Sequence, residues 1–232
     1  MHSARSVLLG LLVLASASAQ AIEADADRLA ACAACHGVSG EGRAGNEYYP
    51  HLAGKPSGYL LAQLKAFREG RRVYPQMTWL MRNMGDDYLA AIADYYAALP
   101  PRSSAQVVPM KPADEARARE LIEEGDAGRG VPACAACHGR DLAGQAPGVP
   151  ALLGLPPDYV VAQLGAWRTG ARSTRGHDCM ADIAKALEVT DLRRLGDWLA
   201  SQGAGHSLAP AAAGSFTLPR RCADMPVAEH VP

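Results

Sequence analysis

Two copies of one heptapeptide carry the densest chemistry in the 232-residue chain. They are Ala31-Cys32-Ala33-Ala34-Cys35-His36-Gly37 and Ala133-Cys134-Ala135-Ala136-Cys137-His138-Gly139. Thiols three residues apart lie on one face of a helical turn, and a histidine follows each pair directly. Three kinds of chemistry use such donors. Four thiolates can close a tetrahedral zinc site, but these motifs stand about one hundred residues apart and each ends in histidine. A redox dithiol of the thioredoxin kind wants a strand and a helix around a single motif, and no such pattern surrounds either copy. The third chemistry is covalent haem attachment, in which both sulfurs form thioethers with one porphyrin and the adjacent imidazole is directed at its iron. Cys32, Cys35 and His36 then hold one haem, and Cys134, Cys137 and His138 a second.

The second axial ligand decides between catalyst and carrier, because an iron closed on both sides has no position for substrate. Met77 stands forty-one residues after His36, and Met180 stands forty-two after His138, each ahead of the last amphipathic segment of its half. A thioether favours ferrous iron and raises the potential relative to a second histidine. A methionine is more commonly a core residue, and only the repetition singles these two out. Met81 and Met84 compete with Met77, and His177 competes with Met180. His51, His206 and His230 have no counterpart in the repeat and are read as ordinary surface or loop residues.

The elements that must position these groups are also duplicated. Pro50 to Gly70 matches Pro150 to Gly170 at eleven of twenty-one positions, including Tyr59/Tyr159, Gln63/Gln163 and Arg68/Arg168. A period near one hundred residues is too long for a solenoid and suits a duplicated small domain. The periodicity in each copy is helical. Pro56 and Pro157 suit a first helical turn, Leu60, Leu61, Leu64 and Phe67 recur at helical spacing, and Gly70 and Gly170 supply stops. Closing helices carry Leu89, Ile92, Tyr96 and Leu99 in the first half and Leu192, Leu195, Trp198 and Leu199 in the second. The segments Glu23 to Ala34 and Asp114 to Glu124 also read as helices, and no strand pattern stands out. The chain therefore reads as all-α. Residues 20–99 and 113–202 form the two domains, and a proline- and serine-rich linker over 100–112 joins them.

Composition narrows the class further. With 23 basic and 24 acidic residues the formal charge is −1, which excludes an electrostatic nucleic-acid binder. Hydrophobic residues make up 49%, enough for real cores, yet aromatics are only 6%. Two porphyrins, as large planar apolar bodies, would replace the missing core volume. Residues 1–19 read as a signal peptide, with a short positive start, an apolar run too short to span a bilayer, and a small-residue cleavage site at Ala17-Ser18-Ala19. Export places the mature chain in the periplasm, with membrane association at most peripheral.

Together these residues resemble the dihaem cytochrome c4 family. The likeness runs from about Asp25 to Gln202 and rests on the duplicated CAACHG, the Pro-x-Leu-x-Gly-x-Pro-x-x-Tyr-x-x-x-Gln-Leu block, and a methionine before the last helix. The resemblance implies two tandem class I cytochrome c domains related by internal duplication and by an approximate two-fold axis, carrying two covalently attached haem c groups. It also implies His36 and Met77 on one iron, and His138 and Met180 on the other. Gly85 and Glu188 stand where the family usually has a serine opening the last helix, so each N-cap is expected to be weak. The tail, residues 203–232, extends past the family's usual end and is expected to be irregular. Cys179 and Cys222 remain over. In an oxidising compartment an even remainder suggests a disulfide; two free thiols, or Cys179 ligating in place of Met180, are the alternatives. Arg68 and Arg168 are read either as solvated helix ends or as partners of haem propionates.

These features describe an electron carrier rather than an enzyme. It would take electrons from a quinol-oxidising complex or dehydrogenase and pass them to a terminal oxidase, docking through apolar surface near the haem edges. A permanent cytochrome subunit of a periplasmic dehydrogenase is the second reading. A dihaem peroxidase or thiosulfate-oxidising enzyme is the third, and it would need one iron with an open or unusual ligand.

Overall fold

The computed structural model describes residues 29–43, 46, 48–101, 106–202, 206–219 and 222. The expected leader, the start of the first expected helix, the middle of the linker and the end of the tail lie outside them. The first domain runs α1 (Ala30–His36), α2 (Ser57–Arg68), α3 (Pro75–Met81) and α4 (Asp86–Ala98). The second runs α5 (Pro112–Glu123), α6 (Cys134–His138), α7 (Pro157–Thr169), α8 (Cys179–Ala186) and α9 (Val189–Ser201). Between α5 and α6 a 3₁₀ turn, Ala127–Arg129, is flanked by β1 (Gly125–Asp126) and β2 (Val131–Pro132), which pair antiparallel. The all-α expectation missed this ribbon because two-residue strands are too short to show alternation.

Each helix starts and stops where backbone chemistry requires. Pro56 and Pro156 are the N-caps of α2 and α7, so Pro56 stands one residue outside the first turn expected for it, while Pro157 is inside. Gly170 caps α7 with φ of 79°, a left-handed conformation open to glycine. The weak caps expected for the closing helices are found: neither Gly85 nor Glu188 offers a side-chain cap. First-turn acids compensate. Asp86 accepts from Lys65 and Arg68 of α2, while the buried Asp191 accepts from Arg117 of α5 and from Arg194.

Both cores follow the sequence periodicity. Leu60 and Phe67 of α2 meet Leu89, Ile92 and Tyr96 of α4, and Tyr159 and Leu164 of α7 meet Leu192, Leu195 and Leu199 of α9. The α7–α9 pair approaches so closely that a Cβ on Gly196 would stand 2.7 Å from the Pro157 carbonyl oxygen.

The domains meet through equivalent exchanges. Val73 donates its amide to Ala171 O at 2.9 Å, Ser173 donates to Arg71 O at 2.7 Å, and Arg72 faces Arg172 across this antiparallel bridge. Such reciprocity is what a two-fold relation between duplicated domains produces.

Gly196→Val should lower the stability of the second domain by about 1–3 kcal/mol through overpacking against Pro157. Denaturant titration of the holoprotein, compared with Ala93→Val at the equivalent position of α4, checks it; an unchanged midpoint would refute the close crossing.

Candidate haem sites

One cavity opens in each domain, and each has an imidazole and a thioether in its wall. In the first, His36 at the end of α1 and Met77 in α3 both line the space. In the second, Cys134, Cys137 and His138 of α6 line the space together with Met180 of α8. Cys32 and Cys35 lie on α1, in the helical turn that ends at His36. His36 and Met77 thus share the wall of the first cavity, and Cys134, Cys137, His138 and Met180 that of the second, while Cys32 and Cys35 stand beside His36 on α1 without lining the first cavity.

The rivals fall away on geometry. Met81 is only 1% exposed and packs in the first core, and Met84 lends its carbonyl to Arg68, so neither lines the cavity. His177 lies at the surface, 2.7 Å from Asp182 through Nε2. Cys179 is bonded to Cys222, which removes it as a free thiol and as a ligand. His206 is exposed, as expected. His51 is a correction. It is buried in the wall of the first cavity, where burial, reinforced by Lys55, holds its pKa well below the usual imidazole value. Ala151 occupies the matching position, so the repeat gave no signal for it.

The candidate proximal histidines are oriented identically. His36 Nδ1 lies 2.9 Å from Pro50 O, and His138 Nδ1 lies 2.9 Å from Pro150 O. A carbonyl can only accept, so Nδ1 carries the proton and Nε2 keeps its lone pair for a metal. Burial lowers both pKa values, with the carbonyl bond opposing it, which keeps the rings neutral and able to donate. The two prolines open the repeated block, which explains why that block follows each motif at similar spacing.

Arg68 and Arg168 lie in the last turns of α2 and α7, as the helix-end reading expects, and neither lines a cavity. Arg168 Nη1 donates to Ala184 O at 2.6 Å and Leu187 O at 2.7 Å, and Arg68 Nη1 donates to Met84 O at 2.8 Å. Each fastens the chain that leaves its methionine-bearing helix, whose last carbonyls lack helical partners.

Four residues further on in each copy, Arg72 lines the first cavity and Arg172 the second, and Arg71 also reaches the second. Arg72 donates to Gln63 at 3.0 Å, and across the domain boundary to Gln163 at 2.8 Å and Tyr159 OH at 2.9 Å. Arg172 reciprocates with Gln163 at 2.9 Å, Gln63 at 2.7 Å and Tyr59 OH at 3.3 Å. Each guanidinium also lies over an aromatic ring, Arg72 at 4.5 Å from Phe67 and Arg172 at 3.8 Å from Trp167. Lys55, Tyr59, Gln63, Tyr159 and Gln163 line both cavities at once. The repeat had marked the glutamines and tyrosines. It could not mark Lys55, which is Leu155 in the second copy.

Lys55, Arg72 and Arg172 are all buried, and among the described residues no carboxylate bonds to any of them. Burial, with the two arginines adding to it, brings the Lys55 pKa down to about 8. Burial alone would raise that of Tyr59, but Arg172, Arg72 and Lys55 override it and bring the phenol down to about 8. Buried uncompensated charge is unfavourable, so this set calls for an anion. The indole N–H of Trp167, in the wall of the second cavity, also lacks a partner. A flat apolar group bearing carboxylates fits: aliphatic and aromatic walls for its body, cations and N–H donors for its acids, imidazole and thioether for a central metal.

The fold and the paired cavities define a two-domain c-type cytochrome. The family model described as Cytochrome c matches residues 24–99. Cytochrome c4 of Pseudomonas aeruginosa is 35% identical over 193 residues, covering 82% of this chain and 92% of its own. The chain belongs to the cytochrome c4 family and binds two covalently attached haem c groups. A thiosulfate dehydrogenase electron acceptor of Thiomonas intermedia is 35% identical over 173 residues, 75% of this chain and 79% of that protein. Among solved structures, reduced cytochrome c4 from Pseudomonas stutzeri superimposes with a TM-score of 0.66 at 29% identity, covering 77% of this chain and 95% of that one. Thiosulfate dehydrogenase TsdBA from Marichromatium purpuratum also gives 0.66, at 36% identity; the match covers 74% of this chain but 36% of that longer one.

Two predictions follow from the shared polar wall. Arg72→Leu should lower at least one reduction potential by tens of millivolts, because loss of a nearby cation favours the ferric state; a redox titration reads it, and Arg72→Lys should recover part of the shift. Lys55 in its charged form raises the potentials, so these should fall as pH rises through about 8, where the lysine is half deprotonated. Bound carboxylates move that fall to higher pH. Lys55→Met should flatten the slope and start from a lower potential at pH 7.

Proposed function

We propose that Cys32, Cys35 and His36 hold one haem, with Met77 as the second axial ligand, and that Cys134, Cys137, His138 and Met180 do the same for the other. The observation that carries this reading is an imidazole and a thioether in the wall of each of two cavities that share five polar side chains. Bound haem iron supplies one-electron exchange between ferrous and ferric states. The chain's part is to keep the ligand set constant through that exchange. His36 and His138 are oriented by carbonyls, the methionine helices are fastened by Arg68 and Arg168, and apolar walls exclude water. A closed ligand set leaves no position for substrate, which argues against peroxidase or thiosulfate-oxidising activity in this chain itself.

The protein acts as a periplasmic electron carrier between a dehydrogenase or quinol-oxidising complex and a terminal oxidase. Among the described residues no helix is long and apolar enough to cross a membrane, and the Cys179–Cys222 disulfide suits an oxidising compartment. We place the domains at 20–99 and 113–202; α4 ends at Ala98 and α5 begins at Pro112, the last residue of the expected linker. The thiosulfate dehydrogenase electron acceptors among the relatives favour a dehydrogenase of that kind as donor. Such enzymes release electrons in pairs, and two haems can accept a pair.

Mixing the oxidised cytochrome with a thiosulfate dehydrogenase and thiosulfate should reduce both haems, two electrons per chain, while thiosulfate alone should reduce neither at a comparable rate. Unaided thiosulfate oxidation, or turnover with peroxide, would overturn the carrier reading. Met77→Ala and Met180→Ala should each remove half of the methionine-to-iron charge-transfer band. Met81→Ala should leave that band whole while costing about 2–5 kcal/mol of stability.

A further inference from the structure

The C-terminal segment after α9 has no counterpart in the first domain, and its described residues meet both the loop after His138 and the start of α8, two parts of the chain that contribute to the second cavity. Its first half binds the loop that follows His138. Leu208 is buried in the domain core at 4% exposure. Ala211 donates its amide to Gly144 O at 3.0 Å and accepts from Ala146 N at 2.8 Å. The side chain of Gln145 donates to Ser215 Oγ at 3.2 Å and to Phe216 O at 3.0 Å. That loop is itself tied to the candidate ligand, since Gly144 N donates to His138 O at 2.8 Å. At the far end of the segment Cys222 is bonded to Cys179, the buried first residue of α8, next to Met180. Leu218 and Cys222 stand in the cavity wall with His138 and Met180.

We propose that this segment is a strap that holds Met180 in the second cavity by joining the histidine-side loop to the methionine-bearing helix. Cys222, Cys179 and Gln145 are positioning residues that act through Met180 and do not touch the iron. For an outside ligand to replace Met180, α8 must swing away from the cavity, and the disulfide restrains its first residue. The first domain lacks this restraint. Gln76, exposed on α3, occupies the place of Cys179, and Met77 is held by its own short helix and local bonds. The two irons therefore differ in how firmly each keeps its methionine, and the site in the first domain opens first.

The inference rests on the His–Met ligation proposed above, and the test separates the two. Ferric holoprotein is exposed to imidazole while the methionine-to-iron band and the shifted methionine methyl resonances are followed. In the wild type, Met77 should be displaced about tenfold faster than Met180. In Cys179→Ala/Cys222→Ala the Met180 phase should accelerate by about that factor, with the Met77 phase and the haem content unchanged. Gln145→Ala, which keeps the disulfide, should give a smaller acceleration and serves if the double variant does not accumulate. Unchanged Met180 rates in these variants, or faster loss of Met180 than Met77 in the wild type, would overturn the strap alone. Absence of both methionine signals from the wild type would overturn the ligation and the strap with it.

Discussion

Three buried cations meet at the domain boundary, and among the described residues no acidic side chain bonds to any of them; most of the arrangement can be understood from that constraint. Arg72 and Arg172 bond to neutral acceptors, the two glutamines and two tyrosines of the repeat, and Lys55 lines both cavities beside them. Amide and phenol oxygens satisfy guanidinium N–H geometry but supply no net charge, so in a medium of low dielectric the cluster stays electrostatically incomplete. The haem carboxylates are the natural completion, and they would arrive from both sides. Carboxylates arriving there would add to the interface the negative charge that its neutral acceptors do not supply.

The same cluster gives the carrier its electrical coupling. Five side chains belong to the walls of both cavities, so a charge change on one iron is felt by groups that also face the other. Arg72 sits in the wall of the first cavity yet bonds Tyr159 and Gln163 of the second domain, and Arg172 does the converse. A duplicated domain could have been joined by its linker alone. Instead the boundary is made from residues at equivalent positions, each serving its own cavity and its neighbour's.

How much of this the sequence revealed follows from what repetition can mark. Groups present in both copies stood out: the Cys-x-x-Cys-His motifs, the methionines, the prolines whose carbonyls orient the histidines, and the Tyr–Gln pairs. Groups present in one copy did not. His51 faces Ala151 and Lys55 faces Leu155 in the alignment of the halves, so His51 was read as a surface or loop residue and Lys55 was not singled out, although both line a cavity. Arg68 and Arg168 show a different limit. Their matching positions allowed two readings, solvated helix ends or partners of haem propionates; in the fold they sit in the last turns of α2 and α7 and bind carbonyls at the end of the methionine segment. Repetition shows that a position matters in both domains; only the fold shows whether it matters to the cofactor or to the backbone that holds it. The two-residue strands after α5 were beyond reach for another reason, since a pattern of period two needs more than two residues to be seen.

Divergence between the halves then carries its own meaning. Once two domains share one polar boundary, any residue added to only one of them makes the two irons unequal. The tail is the largest such addition. It spans the second cavity from the loop after His138 to the first residue of α8, and it ends in a covalent bond rather than another hydrogen bond. Under the ligation and strap proposed above, the two sites share their ligand types and differ in mechanical restraint, with the first domain the more adaptable of the two. In a symmetric dimer of identical chains such a difference could not arise, because any tail added to one subunit would be added to both; joining the domains in one chain is what permits it.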